Sequence, residues 1–144
     1  QLHYAYTDAR YRSETVLFGS TINPGDRVAL VPLHRGYGRV TLRPFDGLEL
    51  GLDGLYVGKQ VLLNNETNQT SFRIQDSFVV NAQASYTWRH VTLFLHGMNL
   101  TDARYETYGT FAFDSRTFAN NVFLMPAPGV SVLGGIKVTF QGYY

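Results

Sequence analysis

The sequence predicts an all-β fold, an antiparallel up-and-down meander of about six strands suited to the wall of a transmembrane β-barrel. Three observations carry this expectation. Apolar and polar residues alternate with period two through most of the chain. The connections between alternating runs are tight at one end and long at the other. Charged residues make up only 16%, while 10 Tyr, 10 Phe and 14 Gly suit a twisted sheet with many turns.

The runs follow one another along the chain. Leu2, Tyr4 and Tyr6 alternate with His3, Ala5 and Thr7. The segment TVLFGSTI carries the only trace of helical spacing, and Gly19 and Ser20 interrupt it. A long connection spans residues 19–32. In residues 35–43, Tyr37, Arg39, Thr41 and Arg43 face away from Gly36, Gly38, Val40 and Leu42. The tight turn PFDG occupies residues 44–47. In residues 48–61, Leu48, Leu50, Leu52, Gly54 and Tyr56 oppose Glu49, Gly51, Asp53 and Lys59. A second long connection covers residues 62–77.

The clearest alternation is VVNAQASYTW, residues 79–88. Val80, Ala82, Ala84, Tyr86 and Trp88 share one face, and Asn81, Gln83, Ser85 and Thr87 the other. After the two-residue turn Arg89-His90, Val91, Leu93 and Leu95 alternate with Thr92 and His96, with Phe94 breaking the polar face. The third long connection spans residues 110–128. In the last run, Val130, Val132, Ile136, Val138 and Phe140 oppose Ser131, Lys137 and Thr139. Each run is near the ~9–11 residues a tilted membrane strand needs. One flank suits hydrocarbon and the other suits water.

The pentapeptide TDARY occurs twice, at residues 7–11 and 101–105. Both copies are expected in strands rising from the tight-turn side. Tyr11, Tyr105 and Tyr108 would then reach the outer aromatic belt, and the Asp and Arg would point inward and pair across strands. Coincidence in a compositionally biased chain is the competing reading, and the loop alternation stands without the repeat.

Several functions find no support. A net charge of +1 offers nucleic acid no electrostatic purchase. Absent cysteine excludes disulfides and thiolate metal sites. His3, His34, His90 and His96 lack metal-ligand spacing. Glu49 and Asp53 read as inward polar residues that pair with neighbours such as Arg39 or Arg43, not as a glycosidase dyad. GYGR lacks a following helix, and Ser85 and Ser131 lack His and Asp partners. Neither catalysis nor a bound cofactor is expected. Asn65, Asn68 and Asn99 head formal glycosylation acceptors, and NNETNQT reads as a mobile loop tip.

The long connections hold the functional material. Tyr108, Phe111, Phe113, Phe118 and Phe123 crowd in and beside the last one, with Arg116 and Asn120 among them. Tyr108, Phe111, Phe113, Arg116, Phe118 and Asn120 form the candidate ligand-binding set. Aromatic faces with a cation and an amide suit a planar or chelated ligand. The same rings also suit packing between loops or an interfacial belt. Arg27 and Arg73 stand one to a loop, which is not a patch.

At NLTDARYE, residues 99–106, the chain resembles the TonB-dependent outer-membrane receptors of Gram-negative bacteria, whose penultimate strand carries an Asn-Leu-hydrophobic-Asp-x-x-Tyr element; Thr101 fills the hydrophobic slot here. PGDRVALVPLHR, LDGLYVGKQ and PAPGVSVLGGIKVTF resemble further family segments in the same order. Phe140 matches the terminal aromatic, although QGYY continues past it. The resemblance covers nearly the whole chain. It implies that residues 1–144 are a C-terminal segment of a larger barrel, without the plug domain and N-terminal strands.

The resemblance further implies active import of a ferric siderophore, haem, cobalamin or similar metal chelate. TonB would energise it through the missing plug. The implied partners are outer-membrane lipid, the remaining barrel and plug, TonB and the chelate. The alternative is a soluble β-sheet module that binds carbohydrate on exposed aromatics. It requires the apolar flanks to meet in a closed core.

Overall fold

The computed structural model describes residues 1–17, 20–67 and 69–140. In chain order the strands are β1 (Leu2–Tyr6), β2 (Thr15–Leu17), β3 (Ser20–Ile22), β4 (His34–Leu42), β5 (Leu48–Val57), β6 (Gln60–Val61), β7 (Arg73–Ile74), β8 (Ser77–Trp88), β9 (Val91–Met98), β10 (Glu106–Asp114), β11 (Ala119–Pro126) and β12 (Ser131–Val138). No helix occurs among the described residues. The weakly helical TVLFGSTI instead contributes β2 and β3, which pair with each other; Phe18 and Gly19 lie outside the described residues, as do Asn68 and the QGYY tail.

β1, β4, β5, β8, β9 and β12 form one antiparallel sheet in that spatial order. Each neighbour is also the next of these six along the chain, so the sheet is an uncrossed meander. The β4–β5 and β8–β9 turns lie at one end. The passages from β1 to β4, β5 to β8 and β9 to β12 all leave from the other. The turn at Gly47 needs glycine: φ is +85°, and an added Cβ would overlap the Thr87 carbonyl oxygen.

Register carries the alternation across the sheet. Leu52 pairs with Val40 on one side and Ala82 on the other. That face is apolar and uncovered, with Leu52 54% and Ile136 69% exposed. The opposite face is polar. Asp53 lies between Arg39 and Asn81 in register and accepts a hydrogen bond from Asn81 Nδ2 at 2.8 Å. Glu49 pairs with Arg43 at 2.8 Å, and Thr87 with Thr92 across the β8–β9 ladder at 3.0 Å. Phe94, the apolar intruder on this face, lies over Gly135 of β12, where an added Cβ would collide with the ring.

The buried apolar residues are elsewhere. Ile22, Val61, Leu62, Ile74 and Val79 are the core among the described residues, and four of the five belong to the long passages rather than the sheet. Burying each side chain contributes about 1.5–3 kcal/mol, which gives the loops their own packing. The closed core that a soluble module requires is absent from the described sheet, since Leu52 and Ile136 remain uncovered.

Four expectations need correction. The run over residues 48–61 is not one strand: β5 ends at Val57, and Gln60–Val61 pairs with Arg73–Ile74. The stretch 110–128 is no irregular loop, because β10 and β11 form a hairpin with continuous register from Tyr108↔Met125 to Asp114↔Ala119. Neither TDARY copy lies in a strand of the sheet; each begins just beyond the upper end of β1 or β9. Tyr11, Tyr105 and Tyr108 lie outside the six-stranded sheet, so they are not on its wall. The outward rung at that end comes from Tyr4, Tyr6, His34, Tyr56 and Phe78, which share the face of Leu2 and Leu52 by register.

Candidate functional site

The site is built from three passages that fold onto one another. The first doubles back on the end of β1. Tyr11 N–H donates to Asp26 O at 3.0 Å, Val28 N–H to Ala9 O at 3.1 Å, and Thr7 N–H to Leu33 O at 2.9 Å. The Asp and Arg of this cassette do not pair across strands: Arg10 Nε meets Asp8 at 2.9 Å, and its Nη1 donates to Gly25 O. Leu30 N–H then bonds Val61 O at 3.0 Å, joining the first passage to the second.

The second passage is cross-tied at Asn65. Asn65 is fully buried; its Nδ2 donates to Thr70 O at 2.8 Å, and its Oδ1 accepts from Thr70 N–H at 2.9 Å. A parallel bridge at Leu63↔Thr110 ties it to the β10–β11 hairpin, with Leu63 N–H on Gly109 O and Phe111 N–H on Leu63 O. Gly109 lets the hairpin settle on Leu62 and Ile74, where a Cβ would crowd both.

The third passage begins at Asn99, which is 3% exposed. Its Oδ1 accepts from Ala103 N–H at 2.9 Å, while Nδ2 donates to Ala103 O at 3.0 Å and Pro128 O at 3.1 Å. Its own N–H donates to Asn81 Oδ1 at 3.0 Å. The backbone is left-handed at φ 51°, a region that asparagine tolerates better than most residues. Asn99 thus clamps both ends of the excursion. Asn65 and Asn99 are buried hydrogen-bonding staples, not exposed acceptors.

Two cavities result. The larger, about 710 Å³, is lined by Arg10, Arg27, Lys59 and Arg73 and by Asp26, Glu66 and Asp76. Arg27 and Arg73, one to a loop in the sequence, therefore do converge, and Arg10 and Lys59 join them. The smaller, about 340 Å³, is lined by Leu17, Ile22, Glu66, Phe111, Phe113 and Asn120, among others.

The sequence-derived set divides. Phe111, Phe113 and Asn120 come together on the smaller cavity. Phe118 sits at the hairpin tip against Phe113, ring centroids 6.4 Å apart and edge-to-face. Arg116 lies outside the cavity, highly exposed and 3.5 Å from Asp114. Tyr108 has the opposite register parity to Phe111 and Phe113 and lines neither cavity. Sequence reading missed Arg10, Lys59 and Glu66, which lie far apart along the chain and share no motif.

Burial pushes the Tyr11 phenol above its ordinary pKa of 10.0, and the nearby Glu66 charge pushes the same way. The phenol therefore stays protonated at neutral pH.

No family model matches the sequence, and no curated protein matches it. Solved structures do match. The siderophore receptor PiuA from Acinetobacter baumannii superposes at a TM-score of 0.73 with 19% identity, covering 95% of this chain and 19% of that one. The ferric-catecholate import receptor Fiu from E. coli K12, in its closed form, gives 0.63 and 14%, covering 95% of this chain and 18% of that one.

The fold is that of part of the barrel of these two receptors. The meander predicted from alternation is this fold, and the chain spans under a fifth of the length of these receptors.

Proposed function

We propose that the chain supplies wall, rim and ligand-catching loops of a Gram-negative outer-membrane receptor that actively imports a ferric siderophore or similar metal chelate. In this reading residues 1–144 are the C-terminal segment of the barrel domain. The remaining strands and plug complete it, and TonB delivers energy through the plug. The residues bind and guide; they perform no bond chemistry.

The observation that carries the reading is the division of the molecule. An apolar sheet face is left bare while every long passage gathers at one end around two cavities. Lipid covers such a face, and closure with further strands satisfies the two open edges. The fold likeness to two siderophore receptors supports the same conclusion. The carbohydrate-module alternative lacks its required core.

The test is iron-limited growth of a strain that relies on the full-length receptor for ferric-chelate uptake. Growth should depend on the receptor and on TonB, and Phe111→Ala with Phe113→Ala should weaken uptake while the receptor remains in the membrane fraction. A receptor that washes from membranes without detergent would overturn the proposal.

A further inference from the structure

Glu66 is the one buried charged side chain among the described residues, and it is 6% exposed. The other buried polar side chains, Asn65 and Asn99, have their amides bonded to backbone groups. Glu66 has no hydrogen bond and no ion pair to any described residue. Four cations, Arg10, Arg27, Lys59 and Arg73, line the same cavity, yet none lies within salt-bridge distance of Glu66; Arg10 is paired with Asp8, and Arg73 donates to the Thr70 and Phe72 carbonyls. Glu66 lines two cavities, so the fold presents an unpaired carboxylate to whatever fills them.

Its place indicates where a partner sits. Glu66 lines both the charged cavity and the aromatic one. A ligand that fills the space between Arg27 and Lys59 on one side and Phe111 and Phe113 on the other would meet Glu66 at the junction. The cations suit anionic oxygens on the ligand, the rings suit its flat or apolar part, and the carboxylate suits a positive hydrogen-bond donor.

We infer that Glu66 is a specificity residue for a mixed-charge chelate: the loop site takes a ligand with an ammonium group beside its anionic metal-binding oxygens, in preference to a wholly anionic chelate. This rests on the receptor reading above and deepens it by naming the ligand class. A charge-assisted contact of this kind is worth roughly tenfold to a hundredfold in affinity.

The probe is one chelator in two forms. Ferric desferrioxamine B carries a terminal ammonium; its N-acetyl derivative keeps the same hydroxamate oxygens without that charge. Equilibrium binding to the detergent-purified full-length receptor should favour the ammonium form by at least about tenfold. Glu66→Gln should abolish this preference. Equal wild-type affinity for the two forms, or a preference that survives in Glu66→Gln, overturns the inference. If the two hydroxamates bind alike while a ferric tris-catecholate binds tightly, the inference falls and the receptor reading stands. If no ferric chelate binds, both fall.

Discussion

Replacing Asn99 with alanine should open the third passage without unfolding the sheet. The side chain holds three backbone groups: the N–H and C=O of Ala103 and the C=O of Pro128. Alanine removes all three bonds. Pro128 is exposed, so water replaces its lost partner; the two Ala103 groups are half-buried. Each stranded group costs about 1–3 kcal/mol, and alanine in a left-handed conformation adds roughly 1 kcal/mol. The expected cost is about 3–7 kcal/mol, confined to residues 99–105. Hydrogen exchange of the Ala103 amide reads this directly, because that amide donates to Asn99 Oδ1. At about 1.4 kcal/mol per factor of ten, its protection should fall by roughly two to five orders of magnitude. Asn99→Gly loses the same bonds without the backbone strain, so its exchange should be about fivefold slower than in Asn99→Ala. A change below tenfold at Ala103 in Asn99→Ala would refute the clamp.

Three further outcomes are expected. Gly47→Ala, strained at φ +85° and driven into the Thr87 carbonyl, should cost about 2–4 kcal/mol by denaturant unfolding; a cost below about 1 kcal/mol contradicts the turn geometry. Leu52→Arg on the bare face should cost about 2–4 kcal/mol in lipid vesicles, and Thr41→Arg on the polar face under about 1 kcal/mol; equal costs would mean that the faces are assigned wrongly. The Tyr11 phenol should ionise above pH 10.0 when followed by phenolate absorbance. Because its folded pKa is raised, its contribution to stability is complete below the unfolded pKa and disappears as pH climbs through the folded one. Glu66→Gln should lower that pKa only part of the way, since burial is the larger cause; a complete return to 10.0 reverses the order of causes.

The elements differ in how legible they were. β8 could be read residue by residue, because a strand with one face in hydrocarbon and one in water must alternate with period two. Phe94 broke the pattern, and nothing local explained it, since its partner Gly135 lies more than forty residues away in an adjacent strand. The β10–β11 hairpin was missed because its flanks bear no simple alternation: Phe111 and Phe113 share a face with Gly109, whereas Ala112 and Asp114 lie opposite. NNETNQT read as a loop tip because asparagine favours turns, and the same hydrogen-bonding capacity, folded inward at Asn65, ties that residue to Thr70.

Local pattern alone therefore determined the sheet, its meander, its two faces and the end from which the long passages leave, since each depends on neighbours in the chain and on the solvent each flank meets. Which side chains share a cavity depended on how three passages dock. Tertiary structure alone brought Arg10, Arg27 and Lys59 around one space and enclosed Glu66 beside it. Their meeting is set by backbone bonds between distant segments, such as Leu30 to Val61 and Phe111 to Leu63, and no periodicity records those.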